Sequence, residues 1–178
     1  GGGSMNAANI LNFFVKKKII KTNKEEIMSI SKLIGSDVIL GLNSFNSILT
    51  SKNKVIYFKK CKKIHVLVIK PNFGCSTKEI YSKVRKFNKP KIKKPSKKMF
   101  DLHYLKKMNN SLEQIVLSKY PKLKSIKFYL ENMSKAVFVR MTGSGSALVA
   151  YYESKEKCIN AKKMFNKKYK NYWCISSK

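Results

Sequence analysis

The sequence predicts an α+β fold, with helices laid on one face of a sheet. After residue 60, short apolar runs of strand character alternate with amphipathic stretches of helical character. Ile64-His65-Val66-Leu67-Val68-Ile69 is the strongest strand, dominated by β-branched residues and closed by Lys70-Pro71-Asn72-Phe73-Gly74. The chain has 178 residues, 43% of them hydrophobic, which suffices for one medium domain or two small ones.

The elements follow in order. Gly1-Gly2-Gly3-Ser4-Met5 reads either as a linker before an initiator methionine or as an anion cradle opening a helix. In the second reading, free N–H groups and the helix dipole face one spot. Asn6 to Phe14 has good helix formers and an apolar face at 7, 10, 11 and 14. Asn23 caps a second helix that runs through Glu25, Glu26, Ile27, Ile30 and Leu33 and ends at Gly35. Short β-prone pieces lie near 45–50 and 54–58. Ser76 or Thr77 caps a helix through Tyr81 and Val84. Residues 86–98, mostly lysine and proline, read as an exposed connection. Helices are expected at about 101–107, 111–119 and 122–132, strands at 136–141 and 147–152, a helix at 154–168 and a last strand at 172–175. No internal repeat is visible.

Lys+Arg 39 against Asp+Glu 9 gives a formal charge of +30, a balance that suggests a polyanionic partner. Only Arg85 and Arg140 are arginine, so 37 of the 39 basic residues are lysine. Asn, Ile, Tyr and Phe are also plentiful, as AT-rich codon usage would produce. Nucleic-acid readers favour arginine for its bidentate fork, so compositional drift accounts better for the charge. No apolar run reaches the roughly 18 residues that span a bilayer, and no signal-peptide pattern opens the chain. Cys61, Cys75, Cys158 and Cys174 form no C-x-x-C pair, and His65 and His103 are the only imidazoles. A cytoplasmic location with free thiols is the expectation, and no firm metal site is expected.

Two glycine turns and one carboxylate stand apart. Gly143-Ser144-Gly145 lies between apolar segments, where a structural turn competes with a phosphate-binding one. Neither turn continues as Gly-Lys-Ser/Thr, which disfavours a P-loop NTPase. Of the nine carboxylates, seven have a lysine within four positions and suit solvated helix pairs. Glu113 fits a capping box, Asn110-Ser111-Leu112-Glu113, at its fourth residue. Asp37, between Gly35-Ser36 and Val38-Ile39-Leu40, has no such role; it reads as a catalytic acid/base or as a loop cap.

Five segments, in order, resemble the GHMP small-molecule kinase superfamily. Gly1-Gly2-Gly3-Ser4-Met5-Asn6-Ala7-Ala8 resembles the end of its glycine-rich ATP loop, GLGGGSSNAA. Gly35-Ser36-Asp37-Val38 resembles its GSDVPF segment. Lys70 to Tyr81 resembles the substrate-side strand and turn, Asn110 to Glu113 with Tyr120-Pro121 a helix pattern, and Met141 to Ser146 the third motif. The resemblance implies a remnant of a ribosomal-protein-S5-like N-terminal domain in 1–60 and a ferredoxin-like C-terminal domain in 61–178.

The branch resembled implies ATP-dependent phosphorylation of the 2-hydroxyl of 4-(cytidine 5′-diphospho)-2-C-methyl-D-erythritol, in non-mevalonate isoprenoid synthesis. The implied roles are Asp37 as catalytic base and Gly1, Gly2, Gly3, Ser4, Gly143, Ser144 and Gly145 on the ATP phosphates. Phe73 and Thr77 fall on the substrate side, with Mg²⁺ carried by ATP; Phe73 fits core packing equally well. Members of the family begin upstream, with a strand carrying a catalytic lysine, so the chain reads as N-terminally truncated and inactive by itself. Met5 stands where the family has serine, and Ile39 where it has proline. The alternative is a small basic RNA- or DNA-binding α+β module with Phe and Tyr as stacking platforms, although no RNP-like pattern is present.

Overall fold

The computed structural model describes residues 2–50, 54–85, 92 and 94–177. They form two compact units, Gly1–Cys61 with Pro90–Lys97, and Lys62–Lys89 with Lys98–Lys178.

In the first unit, α1 (Gly2–Lys16) begins within the glycines, so Gly2 and Gly3 form its first turn and do not precede it as a loop. Its buried residues are Ala8 and Leu11, while Ile10 and Phe14 of the expected apolar face are exposed. The reason is α3 (Val38–Gly41), which packs on α1 through Gly41. A Cβ on Gly41 would sit 2.6 Å from that of Ala8, so only glycine admits this approach. Helix α2 (Lys24–Ile34) is capped as its sequence predicts: Asn23 Oδ1 accepts from Glu25 N and Glu26 N, and Glu26 accepts from Asn23 N. Strands β1 (Asn46–Leu49) and β2 (Val55–Phe58) pair as an antiparallel hairpin.

The second unit runs β3 (His65–Lys70), α4 (Thr77–Ser82), α5 (Leu102–Lys107), α6 (Glu113–Lys119), α7 (Pro121–Met133), β4 (Phe138–Met141), β5 (Leu148–Tyr152), α8 (Lys155–Lys168) and β6 (Trp173–Ser177). The expected connection at 86–98 falls largely outside the described residues; its end enters a 3-10 turn, Lys97–Phe100. Ser76, not Thr77, caps α4, its side chain accepting from Glu79 N. The sheet order is β4-β5-β3-β6, with every pair antiparallel. Taken with the helices between β3 and β4 and the single helix between β5 and β6, this is the ferredoxin-like βαββαβ arrangement.

Period-2 alternation puts one side of each strand inward. Leu67 pairs with Ala150, which pairs with Val139; Ile69 pairs with Leu148, which pairs with Met141. All six are buried, against Ile80, Val116, Leu123, Ile126, Leu130, Ala161 and Phe165 from the helices. Each large apolar side chain contributes roughly 1.5–3 kcal/mol by leaving water. Helix α7 lies on β4 and β5, and α8 on β3, β5 and β6. The inner ends of β4 and β5 are thereby fixed, and the turn between them is held at the rim of a rigid sheet.

Candidate active site

That rim turn joins Met141 to Leu148. Thr142 N donates to Ala147 O at 2.9 Å and Gly145 N to Thr142 O at 3.1 Å. Gly143 and Gly145 have φ of 57° and 86°, a left-handed region costly for other residues. At Gly143 a Cβ would meet open space. At Gly145 it would meet Met141 Sδ at 3.0 Å, Cys75 Sγ at 3.1 Å and Val116 Cγ1 at 3.3 Å.

Two neighbours grip the turn from one side. Asn110 Nδ2 donates to Met141 O at 2.9 Å and to Gly143 O at 2.8 Å. Its Oδ1 accepts from Leu112 N at 3.0 Å, a pattern that fixes which way the amide points. Glu113 Oε2 accepts from Met141 N at 2.7 Å, while its Oε1 lies 3.4 Å from Lys127 Nζ. The capping box expected at 110–113 is therefore not formed. Leu112 occupies the N-cap of α6, and Glu113 is its first residue. Both polar side chains are taken by strand β4, whose edge backbone groups would otherwise lack partners.

On the other side, Thr77 Oγ1 and Ser144 Oγ lie 2.7 Å apart, joining two residues singled out in the sequence. Lys70 Nζ donates to Pro71 O, Phe73 O and Ser146 Oγ at 3.1, 2.9 and 3.1 Å. Ser146 is fully buried and donates to Phe73 O. Phe73 itself stacks on Tyr120, with centroids 6.3 Å apart, and packs against the core. Burial pushes the Cys75 thiol up, against the opposing pull of Lys70 and Lys119. Gly143 N and Ser144 N of this turn have no acceptor among the described residues. Such donors suit an anion.

The remaining sequence candidates lie in the first unit. Gly2, Gly3 and Ser4 form the first turn of α1, where N–H groups have no helical partner; Gly1 lies outside the described residues. Asp37 occupies the N-cap position of α3 but makes no side-chain cap bond. Its carboxylate is exposed and has no partner among the described residues, while Val38 and Ile39 beside it are buried. Hence the loop-cap role fails on geometry, and the carboxylate is left available.

Asn110, Glu113 and Lys70 all stood in segments that the sequence marked, but only as a helix pattern and a strand end. The bonds that tie them to the end of β4 and its turn cross 28 to 76 positions, so no local spacing signals them.

No family model matches the chain. A 4-diphosphocytidyl-2-C-methyl-D-erythritol kinase of Pelagibacter ubique (strain HTCC1062) is 53% identical over 178 residues, covering 100% of this chain and 63% of that protein. One from Clostridium perfringens (strain 13 / Type A) is 32% identical over 178 residues, covering 95% of this chain and 61% of its own length. A crystal structure of a 4-(cytidine 5′-diphospho)-2C-methyl-D-erythritol kinase superposes with a TM-score of 0.76 at 20% identity, covering 99% of this chain and 65% of that one. The class is thereby defined at the level of fold: the chain folds like that solved kinase, an α+β architecture. More particularly, the chain is similar along its whole length to a 4-diphosphocytidyl-2-C-methyl-D-erythritol kinase, and it spans about 63% of that Pelagibacter protein.

Proposed function

We propose that the chain serves ATP-dependent phosphorylation of the 2-hydroxyl of 4-(cytidine 5′-diphospho)-2-C-methyl-D-erythritol, a step of isoprenoid synthesis carried out in the cytoplasm. The observation that carries this reading is the 53% identity to the Pelagibacter kinase over every residue of the chain. Residues 1–60 supply the C-terminal part of the family's ATP-binding domain, and 61–178 its C-terminal domain.

Phosphoryl transfer is governed by positioning and charge neutralisation. Gly1, Gly2, Gly3 and Ser4 bind phosphate oxygens through backbone N–H groups; in the second unit the N–H groups of Gly143 and Ser144 do the same, while Gly145, whose N–H is held by Thr142 O, completes the turn. Asp37 accepts the proton of the substrate hydroxyl. That oxygen bonds to the γ-phosphorus, the bond to the β-phosphate oxygen breaks, and ADP leaves. Thr77 and Phe73 belong to the substrate side. Magnesium, bound to ATP, would supply charge neutralisation. The thioether of Met5 is a poor ligand for such a hard cation.

The test is an ADP-release assay with the cytidyl substrate. It compares the 178-residue chain with a chimera in which the N-terminal part of the Pelagibacter kinase precedes Gly1. Substrate-dependent ADP release by the chimera, well above that of the chain alone, is expected. A folded chimera that releases no ADP in response to the substrate would remove the reading.

A further inference from the structure

Resting on the phosphate-binding reading of the 143–145 turn, we propose that Asn110 is a positioning residue that makes this turn fit for an anion. A turn that binds phosphate must keep its own carbonyl oxygens, which carry partial negative charge, away from the ligand. Asn110 Nδ2 spends both of its N–H bonds on this, donating to Met141 O at 2.9 Å and to Gly143 O at 2.8 Å. The N–H groups of Gly143 and Ser144 have no acceptor among the described residues. One side chain thus ties down acceptors on either side of Thr142, and the donors stay free.

The amide is itself anchored. Its Oδ1 accepts from Leu112 N at 3.0 Å, and Glu113, three residues on, accepts from Met141 N at 2.7 Å. The start of α6 therefore grips the end of β4 from both its carbonyl and its N–H side. Positive φ at Gly143 and Gly145 leaves the intervening backbone open to more than one carbonyl orientation, since glycine imposes little preference. The Asn110 donors select one of them.

Asn110→Asp separates this role from a structural one. The carboxylate has nearly the same volume and still accepts from Leu112 N. It has no protons to donate and sets negative charge against both carbonyl oxygens. The experiment follows the backbone amide signals of Gly143, Ser144 and Gly145 in the 178-residue chain as ATP is added, for the unmodified protein, Asn110→Asp and Asn110→Ala. The unmodified chain should show saturable shifts at these amides. Both variants should bind roughly tenfold more weakly there, as expected for the loss of two turn-fixing hydrogen bonds, with the Leu67 and Ala150 amide signals unchanged. Equal affinity in Asn110→Asp and the unmodified chain would overturn the role of Asn110 while leaving the phosphate reading standing. Absence of any ATP-dependent shift in the unmodified chain would overturn both. Unfolding of both variants would also overturn the proposal, because Asn110 would then determine the fold and not the turn.

Discussion

Thr77 and Ser144 hold each other through one hydrogen bond, 2.7 Å between their hydroxyl oxygens, across 67 positions of chain. The bond fastens the start of α4 to the glycine turn between β4 and β5. It is exposed, so water replaces it at little cost. Thr77→Val, which keeps the shape and removes the hydroxyl, is expected to change global stability by less than about 0.5 kcal/mol. Amide exchange at residues 143–146 should nevertheless become faster. Unchanged exchange there would show that the bond does not hold the turn.

The two turn glycines should respond differently to a methyl group. Gly143→Ala meets open space and bears only the left-handed backbone cost, of about 1–2 kcal/mol. Gly145→Ala bears that cost and also drives a Cβ to 3.0 Å from Met141 Sδ and 3.1 Å from Cys75 Sγ. Overpacking of this kind adds roughly 1–3 kcal/mol. Urea denaturation of the two variants should therefore rank Gly145→Ala as the less stable, and the reverse ranking would contradict the packing described.

How much of this was legible beforehand depended on the reach of each interaction. Asn23 and Glu26 lie three positions apart and bond each other, so the α2 cap could be read from its spacing. The same spacing at Asn110 and Glu113 misled: Asn110 still accepts from Leu112 N, but its amide N–H groups and the Glu113 carboxylate go to the end of β4 and the turn after it, not to each other's backbone. Capping and cross-chain capture use the same polar groups, and only the fold decides between them. Strand positions such as Leu67 and Ile69 were plain from alternation. Their pairing order, β4-β5-β3-β6, came only through the resemblance to a ferredoxin-like domain, since it depends on contacts far apart in sequence. Elimination set Asp37 apart but left a catalytic and a loop-cap reading open, the catalytic role being implied by the resemblance; in the structure its side chain makes no cap bond.

Glu113 offers a test of the strand-edge clamp. Glu113→Ala leaves Met141 N without its acceptor and Lys127 without one of its two carboxylate neighbours, and should cost about 1–3 kcal/mol. Glu113→Gln keeps an oxygen to accept from Met141 N and should recover most of that loss. Equal destabilisation by the two variants, in urea melts, would place the contribution in the charge and not in the hydrogen bond.

Alkaline pH should weaken the second unit. Burial pushes the Cys174 thiol from 9.0 up to about 11, opposed by Lys162 and reinforced by Cys158. Between these values the unfolded chain loses the proton while the folded chain keeps it, so stability falls as pH rises. This contribution is complete below pH 9.0 and is lost on the way to about 11. Denaturation measured just below and near the top of that window should show a decline that Cys174→Ala reduces. An identical decline in the variant would remove Cys174 as a cause.

The account turns most on Asp37 as the proton acceptor in phosphoryl transfer. The direct measurement is kcat and the KM for ATP in the chimera with the Pelagibacter N-terminal part, with and without Asp37→Asn. An amide keeps the shape and exposure of this side chain but cannot take the proton. The variant should therefore lose about 10²–10⁴-fold in kcat, the usual contribution of a general base, with its KM for ATP nearly unchanged. A kcat for Asp37→Asn close to that of the unmodified chimera would contradict the assignment.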